Sequence, residues 1–141
     1  MDVVLRAIRL VEERDGDALA ALYDPEIEFG WPLGLPYGGW HRGADVESMS
    51  VRFASLWEPL QPTETERRMD PVVVAASEGT VVIEYQWRAQ DGRGRRFSTP
   101  TLARYDVRAG RLRRAQMFHF DVPGMLALLR EAPTSWGETD R

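Results

Sequence analysis

The chain has 141 residues, 43% of them hydrophobic and 28% charged, a balance that suits one soluble domain with one core. It contains no cysteine, lysine or asparagine, which excludes disulfides, thiolate chemistry, cysteine metal sites and a lysine Schiff base. Two histidines, His41 and His119, are too few for a histidine-rich metal centre, and a formal net charge of -4 argues against nucleic acid as the main partner.

No apolar run reaches the roughly 20 residues needed to span a bilayer. Charges at Asp2, Arg6, Arg9, Glu12 and Glu13 interrupt any signal-peptide pattern. The expected location is therefore cytoplasmic, with no membrane partner. Nothing calls for a metal or cofactor, so any catalysis would rest on carboxylate, imidazole, phenol, guanidinium and hydroxyl groups.

In chain order, Val4, Ile8 and Val11 mark a helix over residues 2–14. Asp15-Gly16 ends it, and Asp17 is a suitable N-cap for a second short helix through Tyr23. Asp24-Pro25 should stop that helix, because the residue before proline is pushed out of the α region. Ile27, Phe29 and Trp31 then share one side of a short strand. The following stretch to Gly43 is rich in Gly, Pro and aromatics and reads as a pocket rim or packed lid. Residues 44–60 read as a helix burying Val46, Met49, Phe53, Leu56 and Trp57.

From Thr63 onward the pattern turns to strands. Residues 72–76, 80–87, 97–107 and 112–120 are rich in β-branched and aromatic side chains, and a glycine-bearing turn separates each from the next. They form an antiparallel meander, closed by a helix over 123–130 that buries Met125, Leu126, Leu128 and Leu129. Residues 132–141 lack periodicity and read as a mobile tail after a single domain over 1–131. Helices followed by a meander give an α+β fold, in which a curved sheet wrapped around the N-terminal helices encloses one apolar pocket.

The order of motifs resembles a known group. Leu22-Tyr23-Asp24-Pro25-Glu26-Ile27-Glu28-Phe29, Pro36-Tyr37-Gly38-Gly39-Trp40-His41-Arg42-Gly43, Gly110-Arg111-Leu112 and Phe120-Asp121-Val122 are similar to the SnoaL-like polyketide cyclase branch of the nuclear transport factor two-like superfamily. The resemblance spans residues 3–131 and implies a cone-shaped α+β barrel, usually dimeric, with a deep pocket. It leaves the reaction open, since the branch and its relatives include cyclases, isomerases, epoxide hydrolases, dehydratases and non-catalytic proteins. The isomerase pattern is not matched: Trp31, Leu102 and Arg9 stand where its functional groups would be. An acid at the end of the last strand, as in the epoxide hydrolases and cyclases, is matched by Asp121.

Asp121 is thus the candidate acid or base, or else the N-cap of the last helix. In a regular strand His119 would face the same side as Asp121 and act with it. The 110–121 segment runs one residue longer than the resemblance implies, and a β-bulge absorbing that residue would re-aim both side chains. Arg104 has two readings, a cavity cation or an outer-face arginine. Tyr85, Trp87, Trp31 and Trp57 are candidate cavity walls, and Glu84 would join them only after a one-residue shift. Phe118 and Phe120 on the opposite face suggest a homodimer through the sheet.

The function so implied is cofactor-independent cyclisation of a small, apolar, polyketide-type intermediate, by pocket preorganisation with acid/base help. Epoxide hydrolysis, dehydration or isomerisation of a small apolar substrate is the alternative. A non-catalytic ligand-binding or assembly module is the third reading.

Overall fold

The structure, a computed structural model, describes residues 2–131; the expected mobile tail over 132–141 lies outside the described residues. Helix α1 (Asp2–Glu12) lays Val4, Ala7, Ile8 and Leu10 into the core, and its first turn carries Asp2, favourable at a helix N-terminus. Arg14 adopts a left-handed backbone (φ 60°) and turns the chain back. Helix α2 (Gly16–Ala20) therefore starts early. Its cap is Asp15, whose carboxylate accepts from Ala18 N at 3.1 Å, and not the expected Asp17.

Strand β1 (Tyr23–Trp31) contains Asp24-Pro25, so that pair lies within a strand and does not simply end a helix. Pro25 is tolerated because regular pairing with the neighbouring strand jumps from Tyr23–Leu112 to Glu28–Arg114. Asp24 steadies the gap by accepting from Glu26 N at 2.8 Å. The stretch expected to be all loop holds a short strand β2 (Gly39–Arg42) paired with β1. Helix α3 (Ala44–Trp57) runs into a 3₁₀ turn (Glu58–Leu60), and an unforeseen helix α4 (Glu64–Arg67) follows. A single turn of helix needs outside support. Here Glu66 accepts from Thr63 N and Oγ1 at 2.8 and 2.9 Å.

Strands β3 (Val72–Ser77), β4 (Thr80–Gln90), β5 (Arg96–Arg108) and β6 (Arg111–His119) form the expected antiparallel meander. The full sheet order is β2-β1-β6-β5-β4-β3, and its one parallel contact is β1 against β6. The six-stranded sheet is curved and unclosed, with β2 and β3 at its edges. Its concave face carries Val81, Ile83, Tyr85 and Trp87 from β4, alternating with more exposed neighbours, and packs on the helices. Helix α5 (Val122–Glu131) buries Met125, Leu128 and Leu129. Burying one such side chain fully stabilises the fold by about 1.5–3 kcal/mol.

Strand β6 holds the anticipated extra residue. Asp106 pairs with Arg114 but Val107 with Leu112, so Arg113 is the surplus position. Leu112, Ala115 and Met117 are consequently all buried, while Phe118 is 51% exposed. No described helix is long and apolar enough to cross a membrane.

Candidate functional site

Between the concave sheet and helices α1, α2 and α3 lies a cavity of about 210 Å³. Aromatic rings form a large part of its wall, because inward positions on neighbouring strands and on α3 carry them. Phe29 stacks on Trp31 with centroids 4.4 Å apart, and Trp31 stacks on Phe53 of α3 at 5.8 Å. Phe53 meets Trp87 at 5.5 Å, and Trp57 meets the same indole edge-on at 5.2 Å. The Trp57 Nε1–H is satisfied by Tyr37 Oη at 2.9 Å, so Trp57 is fixed as wall.

His119 projects from the end of β6 into this cavity. Register places Tyr85, Thr101 and His119 in one row across β4, β5 and β6. Thr101 Oγ1 and His119 Nδ1 are 2.7 Å apart, while Nε2 is buried without a hydrogen-bond partner. Burial lowers the imidazole from its usual 6.5 to about 4, so the ring is neutral at pH 7. Trp87 Nε1 is the second buried polar atom without a partner.

Three tyrosines share the cavity, and burial is the main cause of the upward shift in each. Tyr23 is pushed up to about 12, while Tyr85 and Tyr105 are raised further. The Tyr85 hydroxyl donates to Met117 Sδ at 3.3 Å. All three phenols stay protonated, so the cavity interior is uncharged at neutral pH.

Charge appears only at one end, where the α1–α2 turn faces the end of α3. Arg14 lies there with Asp15, Glu58 and Gln61. Its guanidinium donates to the Gln61 carbonyl at 2.6 Å and stands 3.8 Å from the Glu58 carboxylate. Arg14 therefore clasps one lip of the cavity to the other.

The sequence-derived candidates divide by face. Trp31, Trp57, Tyr85, Trp87 and His119 all line the cavity. Asp121 does not: its Oδ1 accepts from Gly124 N at 2.9 Å, and its own N–H donates to Thr99 Oγ1 at 2.9 Å. It caps α5, and the expected pairing with His119 on one strand face fails because β6 ends at His119. Glu84 and Arg104 belong to the outer face. Glu84 is exposed on β4, and Arg104 stands 3.6 Å from Asp106 with its side chain 56% exposed. Register is the reason, since each pairs across the sheet with other outward residues, Glu84 with Leu102 and Arg104 with Gln116.

Thr101, Tyr105, Met117 and Arg14 were not picked as site candidates. The inward alternation Thr99, Thr101, Ala103, Tyr105 was a usable signal for two of them. Arg14 gave none, because its role depends on a contact 47 residues away along the chain. Among the described residues, no group of three His, Asp or Glu side chains is arranged to hold a metal ion.

The sequence profile of the SnoaL-like domain matches residues 4–115. Comparison with curated proteins finds no match. Among solved structures, TerC, co-crystallised with polyporic acid, is similar with a TM-score of 0.75 at 17% identity, covering 91% of this chain and 95% of that one. Bal32a, from a soil-derived mobile gene cassette, gives a TM-score of 0.72 at 16% identity over 92% and 95%. A provisionally named polyketide cyclase from Xanthomonas campestris pv. campestris gives 0.66 at 21% identity over 91% and 94%. At these identities the likeness establishes the fold.

Proposed function

The chain belongs to the SnoaL-like domain family, and from that premise we propose that it is a cofactor-independent cyclase of a small polyketide-type intermediate. The observation that carries this reading is the imidazole of His119, neutral, pinned at Nδ1 and bare at Nε2 inside an aromatic cavity. When Nδ1–H donates to Thr101 Oγ1, Nε2 is left as a base. It can take a proton from the carbon between two carbonyl groups, so that the enolate attacks a third carbonyl of the folded chain. The imidazolium then returns the proton to the new alkoxide.

A base held near 4 is a weak one, and this decides the balance of effects. Most of the acceleration comes from the walls, which hold a flexible chain in its reactive conformer. Such orientation is worth several kcal/mol, up to about 7–11 in the best cases. Epoxide opening would use an acid and an arginine beside Asp121, and the two candidates, Glu84 and Arg104, sit on the other face of the sheet.

The test offers aryl β-diketones carrying a pendant ketone and follows ring closure by mass spectrometry. The expected result is turnover that drops about 100-fold in His119→Ala. Undiminished turnover in that variant removes the proton-transfer step. Binding without turnover by the parent protein favours the second reading, a ligand-binding module.

A further inference from the structure

The mechanism above uses His119 and leaves Trp87 as wall, yet Trp87 carries the other orphaned polar atom. An indole N–H can only donate. Trp87 is 4% exposed, and its Nε1 is buried with no partner among the described residues. A donor in that condition costs free energy unless something accepts from it. The neighbouring rings do not help: Trp57 meets Trp87 edge-on and Phe53 packs against it, and neither ring offers an oxygen or nitrogen acceptor. The Trp57 indole shows the contrast, since its N–H is met by Tyr37 Oη at 2.9 Å. One tryptophan of the pair is structurally satisfied, and the other lines the cavity with its buried N–H unpaired.

The charge pattern narrows what could accept. The interior is uncharged, because His119 and the three phenols are all neutral at pH 7. Among the described lining residues, the one cation is Arg14, already engaged by the Gln61 carbonyl and the Glu58 carboxylate. Asp15 and Glu58 share that end, so a carboxylate ligand would pass two like charges and end in a site without a counter-ion. Desolvating an unpaired anion is costly, whereas a neutral carbonyl oxygen needs only the one donor.

We infer that Trp87 Nε1–H is the anchor for a ligand carbonyl oxygen, and that the cavity selects uncharged aryl ketones or quinones over the matching carboxylates. This rests on the reading that the cavity binds an organic ligand, and it specifies the chemical class. About 210 Å³ suits one or two fused rings, stacked among Trp31, Phe53 and Trp57.

Three probes of near-equal shape separate the possibilities: 1-acetonaphthone, 1-isopropenylnaphthalene and 1-naphthoate. Calorimetry on the full chain is expected to show the ketone binding about fivefold more tightly than the hydrocarbon, as one neutral hydrogen bond allows, and the carboxylate more than tenfold more weakly than the ketone. In Trp87→Phe the advantage of the ketone over the hydrocarbon should vanish while hydrocarbon binding persists. Because that variant removes packing against Trp57, a second readout uses the parent protein. Indole N–H resonances of ¹⁵N-labelled chain should show one, assigned to Trp87, moving downfield with the ketone but not with the hydrocarbon. Equal binding of ketone and hydrocarbon, a still Trp87 resonance, or naphthoate binding as tightly as the ketone overturns the inference and leaves the cavity a ligand site. Failure of all three probes to bind overturns the ligand-binding reading itself.

Discussion

Thr101 Oγ1 and His119 Nδ1 meet at 2.7 Å across the β5–β6 pair, and this contact decides which imidazole nitrogen serves the cavity. A threonine hydroxyl both donates and accepts, so it does not by itself fix the tautomer. It does fix the ring plane. Thr101→Val keeps the shape and removes the tether, leaving His119 free to turn. The expected outcome is a fall in turnover of about tenfold or more with little change in ligand affinity, read from the split between kcat and KM.

Protonation of the same ring should weaken the fold. The unfolded chain takes up the proton near pH 6.5, whereas the folded chain resists until about 4, because burial disfavours the charged ring. The contribution is complete above pH 6.5 and is lost progressively as the pH falls towards 4. Its size is at most about 3 kcal/mol. Urea unfolding at pH 7.5 and pH 5 should show the loss, and His119→Gln should remove most of the difference between the two. The window avoids Asp24 and Asp91, which backbone hydrogen bonds, reinforced by arginine, hold below the usual carboxylate range.

Asp121→Ala should behave as the loss of a cap. The cost is about 1 kcal/mol, seen as a lower melting temperature, since Gly124 N and the start of α5 lose their acceptor. Ligand affinity and turnover per folded molecule should stay within about twofold to threefold. A loss of activity of 100-fold or more at full folding would return the chemistry to this carboxylate.

Arg14→Ala opens the clasp between the two lips of the cavity. Exposed pairs contribute little to stability, roughly 0–1 kcal/mol, so the melting temperature should barely move. Association and dissociation should both accelerate in stopped-flow tryptophan fluorescence, with an equilibrium constant nearly unchanged. A large change in affinity, carried by faster dissociation with association unchanged, would show that Arg14 touches the ligand.

The outer face of the sheet pairs Leu102 with Phe118, exposed 44% and 51%, with Phe120 beyond them at 84%. The expected assembly is a homodimer across this face. Sedimentation should give a dimer for the parent chain and a monomer for Phe118→Glu, with the cavity's ligand affinity intact. A parent chain that is monomeric at tens of micromolar concentration removes this expectation.

The strands that build the cavity were legible because their periodicity is local. Val81, Ile83, Tyr85 and Trp87 alternate with more exposed neighbours along β4. Strand β2 was not legible, since its four residues are extended only through pairing with β1. Helix α4 was missed although Thr63 and Glu66 stood at capping-box spacing, because four residues show no periodicity. Where the site candidates lie divides in the same way. The walls follow from alternation, but Asp121 leaves the face of His119 because β6 ends at His119 and the chain turns into α5. Contacts from distant or later residues, Thr99 and Gly124, hold Asp121 in that turn.

The surplus residue also sets how the chain tolerates changes in length. With either Arg113 or Arg114 removed, Leu112, Ala115, Met117 and His119 would still fall on the inward side, now in unbroken alternation from Leu112 onward. A deletion beyond Ala115 that keeps the bulge has the opposite effect, turning every inward side chain after it to the outer face. Shortening the strand is thus silent at the surplus residue and everts the cavity wall further along.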